Sequence, residues 1–226
     1  KIADKLVYSK VKERVGGRLR FFVSGGAPLS KEIGEFFAAA DITILEGYGL
    51  SETSPVLTCN TPESIRYGSV GKPLFNVDIK IADDGEILAK GPNIMIGYYN
   101  NEEATREAID SDGWFHTGDI GHIDDDGFLF ITDRKKNILV TSSGKNVAPA
   151  PIENALANSP FIEQSVVIGD NRNFISALIV PCQEAVEKEL ANQGKPLPGS
   201  DIMSDHPDVK ALIQKEVDAT MAGFSN

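Results

Sequence analysis

Apolar residues come in short blocks divided by glycine-rich and proline-rich breaks, and the rhythm of the blocks changes along the chain. From residue 1 to about 66, Leu19-Arg20-Phe21-Phe22-Val23 and Ile42-Thr43-Ile44-Leu45 are mainly apolar runs of strand length, which predict buried strands. Between them Ser30 stands at the head of a helical pattern through Phe36 and Phe37 and predicts an N-capped helix. From about 67 to 133 alternation takes over. Val77-Asp78-Ile79-Lys80-Ile81 alternates, Asp83-Asp84-Gly85 turns and Glu86–Lys90 returns, which predicts a hairpin. A second turn, Asp124–Gly127, leads into Phe128–Ile131. Further on, Asn137–Thr141, Gln164–Ile168 and Phe174–Val180 read as strands, and Ile152–Asn158, Glu184–Asn192 and Asp208–Met221 as helices. The last helix has Asp205 as cap, Pro207 in its first turn, and Val209, Leu212, Ile213 and Val217 on one face; Pro196–Ser200 is a loop. The fold class expected is α/β and α+β: the tail of a doubly wound domain (1–66), a small β-rich subdomain (67–133), and an α+β domain (137–226).

Chemistry concentrates at Glu46-Gly47-Tyr48-Gly49-Leu50-Ser51-Glu52-Thr53, expected as a glycine-hinged turn at a strand's carboxyl end, where open α/β sheets bind ligands. Tyr48 can stack on a purine, Ser51 can bond a phosphate oxygen, and Glu52 can offer oxygen to Mg2+, which is commonly held by one or two carboxylates plus phosphate. A glycine-rich βα turn with a capping serine and no ligand explains the same residues equally well. Three further stretches bear on the choice. Ser24-Gly25-Gly26-Ala27-Pro28-Leu29 is a tight turn small enough for a flat base, Thr117-Gly118-Asp119 ends in a carboxylate suited to a ribose diol, and Asp133-Arg134-Lys135-Lys136 is followed by Ser142-Ser143-Gly144-Lys145.

In order and spacing these pieces resemble the acyl-adenylate-forming superfamily, and within it the AMP-forming long-chain fatty acyl-CoA synthetases, from Lys5 to about Pro181. The resemblance implies that Gly26, Ala27, Pro28 and Tyr48 hold adenine, with Gly49 in the same nucleotide-binding segment. It implies that Ser51 faces the α-phosphate, Glu52 binds Mg2+, Asp119 accepts from the ribose hydroxyls and Arg134 lies near the same ribose. It further implies a domain hinge within 134–136, at Lys136, a mobile C-terminal domain, and a loop at Gly144 lining the path of coenzyme A. The reaction implied is activation of a fatty acid by ATP to acyl-AMP, then transfer to coenzyme A. Asp133–Lys136 and Ala148–Glu153 favour the long-chain branch over an acyl-AMP ligase or a peptide-synthetase adenylation domain. A nucleotide-binding module without turnover is the alternative from another class.

Two parts of the family pattern are not found: the Ser/Thr/Gly-rich triphosphate loop and the adenylation lysine, for which Lys195 stands too early and in the wrong context. The chain is therefore expected to be a piece of a longer enzyme, inactive alone. At 226 residues and 41% hydrophobic content, one or two domains with a sizeable core are expected. A net charge of −11 argues against nucleic acid as a partner and against a membrane-surface patch. No run approaches the roughly 18 apolar residues of a transmembrane span, and Lys1 opens a helix-like segment rather than a signal peptide. Cys59 and Cys182 fit a reducing compartment, so the location expected is cytoplasmic. His116, His122 and His206 lack metal-ligand spacing, and His116 is read as shaping the loop before Asp119. Asp124–Gly127 lacks the closing glutamate of a calcium loop and is read as a turn.

Overall fold

The computed structural model describes residues 9–196 and 200–224. The helix-like start at Lys1 and residues 197–199 of the Pro196–Ser200 loop lie outside them. The chain divides into two compact units, residues 1–135 and 136–226.

The first unit opens with helix α1 (Ser9–Arg14), strand β1 (Phe22–Ser24), helix α2 (Lys31–Ala39) and strand β2 (Ile44–Gly49). The Ser30 hydroxyl accepts from the Ile33 N–H and caps α2, as its position before the helical pattern predicts. β1 and β2 pair in parallel, with Ser24 beside Glu46. β3 (Val56–Cys59) and β4 (Lys72–Pro73) then add antiparallel, giving the order β1-β2-β3-β4. Two expectations change here. The run at Leu19–Val23 is not a buried strand: β1 starts at Phe22, and Val23 is 67% exposed, because β1 is the outer strand of its sheet. Nor is Glu46–Gly49 a turn. It is the second half of β2, and the chain returns directly as β3, so the connection is a hairpin rather than a βα turn.

The second sheet holds β5 (Asp78–Ile81), β6 (Glu86–Lys90), β7 (Phe115–Ile123) and β8 (Leu129–Arg134), an antiparallel meander in sequence order. The hairpin turn at Asp83–Gly85 forms as its sequence predicts, with Gly85 at φ 86° and the Glu86 N–H donating to Asp84. Helix α3 (Glu102–Ala108) lies between β6 and β7. Trp114 precedes β7, with the Lys80 ammonium 4.0 Å and the Lys90 ammonium 5.8 Å from the centre of its ring. In the Asp124–Gly127 turn, the Asp124 carboxylate accepts from the N–H groups of Asp126 and Phe128 and pairs with Arg66, so its oxygens serve the turn. One core joins both sheets: Tyr48 and Leu57 meet Val77, Ile87, Ala89 and Leu129. Leu57, Ile87 and Leu129 are fully buried, each contributing about 1.5–3 kcal/mol.

In the second unit a 3-10 turn over Lys135–Asn137 leads to β9 (Leu139–Val140) and β10 (Asn146–Val147), a two-stranded ribbon closed by Gly144 at φ 80°. The strand expected over Asn137–Thr141 is thus cut to two residues. Helix α4 (Pro149–Ala157) begins earlier than Ile152, because Pro149 and Pro151 fall in its first turn, where a missing N–H costs nothing. β11 (Ile162–Ile168) and β12 (Ser176–Pro181) pair antiparallel, followed by α5 (Gln183–Asn192) and α6 (Pro207–Met221). Asp205 does not cap α6. His206 holds the cap position without a side-chain bond, and Asp205 pairs with Lys210. Val209 and Leu212 pack on Val186 and Leu190, while Ile213 and Val217 reach Ile152 and Leu156.

Candidate functional site

In the first unit the sequence-derived site residues gather around the end of β2. The Ser24–Pro28 turn leaves β1 beside it: Gly26 sits at φ 80°, and Gly25 through Pro28 are exposed, so the turn offers bare backbone to a flat group. A Cβ on Gly25 would lie 3.2 Å from the Gly47 carbonyl, which measures how closely turn and strand approach.

Gly49 is required by contact rather than by dihedral angle, since neither Gly47 nor Gly49 has positive φ. A Cβ on Gly49 would stand 1.7 Å from the Pro55 carbonyl oxygen, while one on Gly47 would meet Cys59 Sγ and Thr58 O at 3.5 Å. We expect Gly49→Ala to destabilise the protein by about 3 kcal/mol or more, because backbone rather than a movable side chain blocks the space, and Gly47→Ala by less than about 1.5 kcal/mol. Urea unfolding of both variants decides it; equal midpoints would contradict the contact.

Beyond Gly49, Ser51–Thr53 form a 3-10 turn. The buried Thr53 hydroxyl accepts from the Leu50 N–H at 2.9 Å and donates to the Pro55 carbonyl at 2.5 Å. A second segment fixes the turn from outside: Asn93 Nδ2 donates to the carbonyls of Thr53 and Val56, Met95 N–H to the Glu52 carbonyl, and the Tyr98 hydroxyl to Glu52 Oε1 at 3.0 Å. Ser51 is exposed. Glu52 is half-buried and has no ion-pair partner among the described residues, so its second oxygen is open to a hard cation. No cluster of three or more His, Cys, Asp or Glu side chains arranged for a metal occurs among the described residues. A single carboxylate fits Mg2+ carried by phosphate, and does not fit an all-protein cage.

Tyr48 and Asp119, 71 positions apart, meet in the core: the tyrosine hydroxyl donates to Asp119 Oδ2 at 2.6 Å. Burial first, and the Asp119 carboxylate next, push the phenol above its ordinary range, so it remains a donor. Arg134 stands opposite Asp119 across β7 and β8, with its Nε 3.2 Å from Asp119 Oδ1. The Asp119 carboxylate is thus 4% exposed with one donor on each oxygen, and each oxygen keeps a lone pair for another donor. The Tyr48 ring belongs to the core cluster and is 9% exposed, so its hydroxyl is committed to Asp119 and little of its face is open.

Four side chains of this arrangement, Thr53, Asn93, Tyr98 and Glu86, have no role assigned to them by the sequence reading. Thr53, Asn93 and Tyr98 act through the turn that carries Glu52. Glu86 accepts from the Gly118 N–H at 2.9 Å, from Lys135 Nζ at 2.9 Å and from His116 Nδ1 at 3.0 Å. Burial alone would raise its carboxyl pKa, but these three bonds and the Lys135 charge outweigh burial and hold it below the ordinary 4.5. The signal was a glutamate opening the apolar run Ile87-Leu88-Ala89, a charge where the strand pattern has no room for one. Lys136 and Gly144 fall in the second unit, Lys136 exposed within the 3-10 turn and Gly144 at the tip of the β9–β10 ribbon.

Residues 2–99 match the AMP-binding enzyme family, and residues 136–197 match the AMP-binding enzyme C-terminal domain. The chain belongs to the AMP-binding enzymes. Among relatives in that family, it is 48% identical over 218 residues to a long-chain-fatty-acid–CoA ligase of Mycobacterium bovis, covering 96% of this chain and 36% of the relative. It is 40% identical over 208 residues to fatty acyl-CoA synthetase A of Dictyostelium discoideum, covering 85% of this chain and 31% of the relative. The solved O-succinylbenzoate coenzyme A synthetase of Bacillus subtilis, in complex with ATP and magnesium ion, superposes with TM-score 0.65 at 30% identity, covering 82% of this chain and 39% of that one. ATP-bound MatB of Rhodopseudomonas palustris gives TM-score 0.68 at 30% identity, with 82% and 42% covered. The mixed α/β architecture is therefore that of AMP-binding enzymes, and this chain spans about a third of the length of the curated relatives it matches.

Proposed function

We propose that the chain carries the adenylate pocket of a long-chain fatty acid–CoA ligase, which activates a fatty acid with ATP to acyl-AMP and transfers the acyl group to coenzyme A. The observation that carries the reading is the Tyr48–Asp119–Arg134 constellation beside the Ser51–Thr53 turn, in a chain 48% identical to a long-chain-fatty-acid–CoA ligase. Gly26, Ala27 and Pro28 offer an exposed backbone surface for adenine, and Tyr48, buried in the core, serves the pocket by its bond to Asp119. The free lone pairs of Asp119 accept the two ribose hydroxyls, while Arg134, more than half exposed, keeps donors for the ribose side.

The Ser51 hydroxyl donates to the α-phosphate, and Glu52, steadied by Tyr98, supplies a carboxylate oxygen for Mg2+. Bound there, the ion would neutralise phosphate charge as the fatty carboxylate attacks phosphorus and pyrophosphate departs. The protein's share is positioning, since the turn is already locked by Thr53 and Asn93 before any ligand arrives. In the second half-reaction the coenzyme A thiol attacks the acyl carbonyl and AMP leaves. We assign Lys136 as the pivot that brings the Gly144 loop to the coenzyme, within a domain plan of residues 1–66, 67–133 and 137–226. No described helix is long and apolar enough to cross a membrane; the free thiols of Cys59 and Cys182 support a cytoplasmic location.

The test is pyrophosphate release by the full-length protein given ATP, Mg2+ and a long-chain fatty acid, followed by thioester formation on adding coenzyme A. Release without thioester would assign an acyl-AMP ligase instead. Release with an amino acid but not a fatty acid would assign an adenylation domain, and nucleotide binding without release a module that does not turn over.

A further inference from the structure

We propose that Glu86 is a positioning residue for ribose recognition, holding the backbone N–H before Asp119 and the side chain after Arg134; the inference rests on the assignment of Asp119 to the ribose. Glu86 opens β6 with its side chain 5% exposed. A carboxylate so placed is costly unless every oxygen is met. Here Oε1 accepts from the N–H of Gly118, the residue before Asp119, and Oε2 accepts from Nζ of Lys135, the residue after Arg134. One side chain therefore ties down the neighbours of both ribose-facing groups.

The ladder explains why a side chain is needed there. Leu88 pairs with His116 and Glu86 with Ile120, so the two-residue step along β6 spans four residues of β7. The surplus forms a bulge at Thr117–Asp119, with Gly118 at φ 71° in the left-handed region. Its backbone is held by side chains: the Thr117 hydroxyl donates to the Ile87 carbonyl at 2.7 Å and accepts from the Asp119 N–H at 3.1 Å, and Glu86 takes the Gly118 N–H. The bulge turns Asp119 inward toward Tyr48, so its aim depends on these holds. Lys135 also pairs with Asp84 at 2.7 Å, and His116 faces Asp110 at 3.8 Å, so the anchor is braced from the hairpin turn and from the loop before β7.

The experiment is equilibrium titration of the full-length protein with ATP and with 2′,3′-dideoxy-ATP, which lacks the hydroxyls. Asp119→Asn should bring the ratio of the two affinities close to one; if it leaves the ratio unchanged, the ribose assignment itself is wrong. With that control in place, Glu86→Gln should cut the ratio by about fivefold or more, since ångström-scale misplacement forfeits far larger factors, while dideoxy-ATP affinity changes by less than about twofold. A ratio equal to that of the parent protein, or equal weakening of both ligands, overturns the positioning role and leaves the ribose assignment standing. Should Glu86→Gln lose its thermal unfolding transition, Lys135→Met, which keeps the Glu86–Gly118 bond but frees the Arg134 side, is judged by the same ratio.

Discussion

Asp119→Asn should weaken ATP binding by the full-length protein by about a hundredfold or more. The carboxylate is buried, with Tyr48 on one oxygen and Arg134 on the other, so its charge is fixed in place before nucleotide arrives. Two ribose hydroxyls would each contribute a charge-assisted bond of about 1.5–3 kcal/mol, and about 1.4 kcal/mol is a factor of ten. Asparagine keeps the volume and one acceptor oxygen, so the loss is read mainly in binding. Asp119→Ala would also strand the buried Tyr48 hydroxyl, and should lower stability by a further ~1–3 kcal/mol. ATP titration and thermal unfolding, run together on both variants, separate the two costs. Parental affinity in a correctly folded Asp119→Asn protein would remove Asp119 from the ribose.

The second large effect is expected at Lys136. Its side chain is exposed at the boundary between the two compact units, within a single 3-10 turn. As an ordinary surface lysine it would tolerate substitution within about ±0.5 kcal/mol and show no kinetic effect. Proline fixes φ near about −65°, inside the range of a 3-10 turn, so it suits the turn described here and opposes any other setting of that angle. Lys136→Pro should therefore leave one half-reaction of the full-length enzyme largely intact and cripple the other, with thioester formation the one lost. Rates of acyl-AMP formation and thioester formation measured separately decide it. Equal loss in both, or in neither, means that Lys136 is not a pivot.

Local features were legible in the sequence and paired ones were not. Ser30 announces α2, and Asp83–Gly85 announces its hairpin, because capping and turn geometry act within four residues. An apolar run tells strand length but not what covers it, so Leu19–Val23 looked like core although β1 is an outer strand. Gly47 and Gly49 suggested a turn because glycine permits one, whereas β2 runs through both and Gly49 is needed for the approach of Pro55. The residue types of the candidate site were readable from their order. Their connections were not: Tyr48 to Asp119 spans 71 positions and Glu86 to Lys135 spans 49, distances over which no periodicity in the sequence carries information.

Trp114 gives this architecture an optical consequence. It is the only tryptophan of the chain, it stands five residues before Asp119, and its indole lies against the Lys80 ammonium. A cation held over an indole face is sensitive to ring distance and to local solvation. Any ligand that shifts the start of β7 would therefore alter the emission intensity and colour of this one indole, and fluorescence of the chain would register such a shift without an added label.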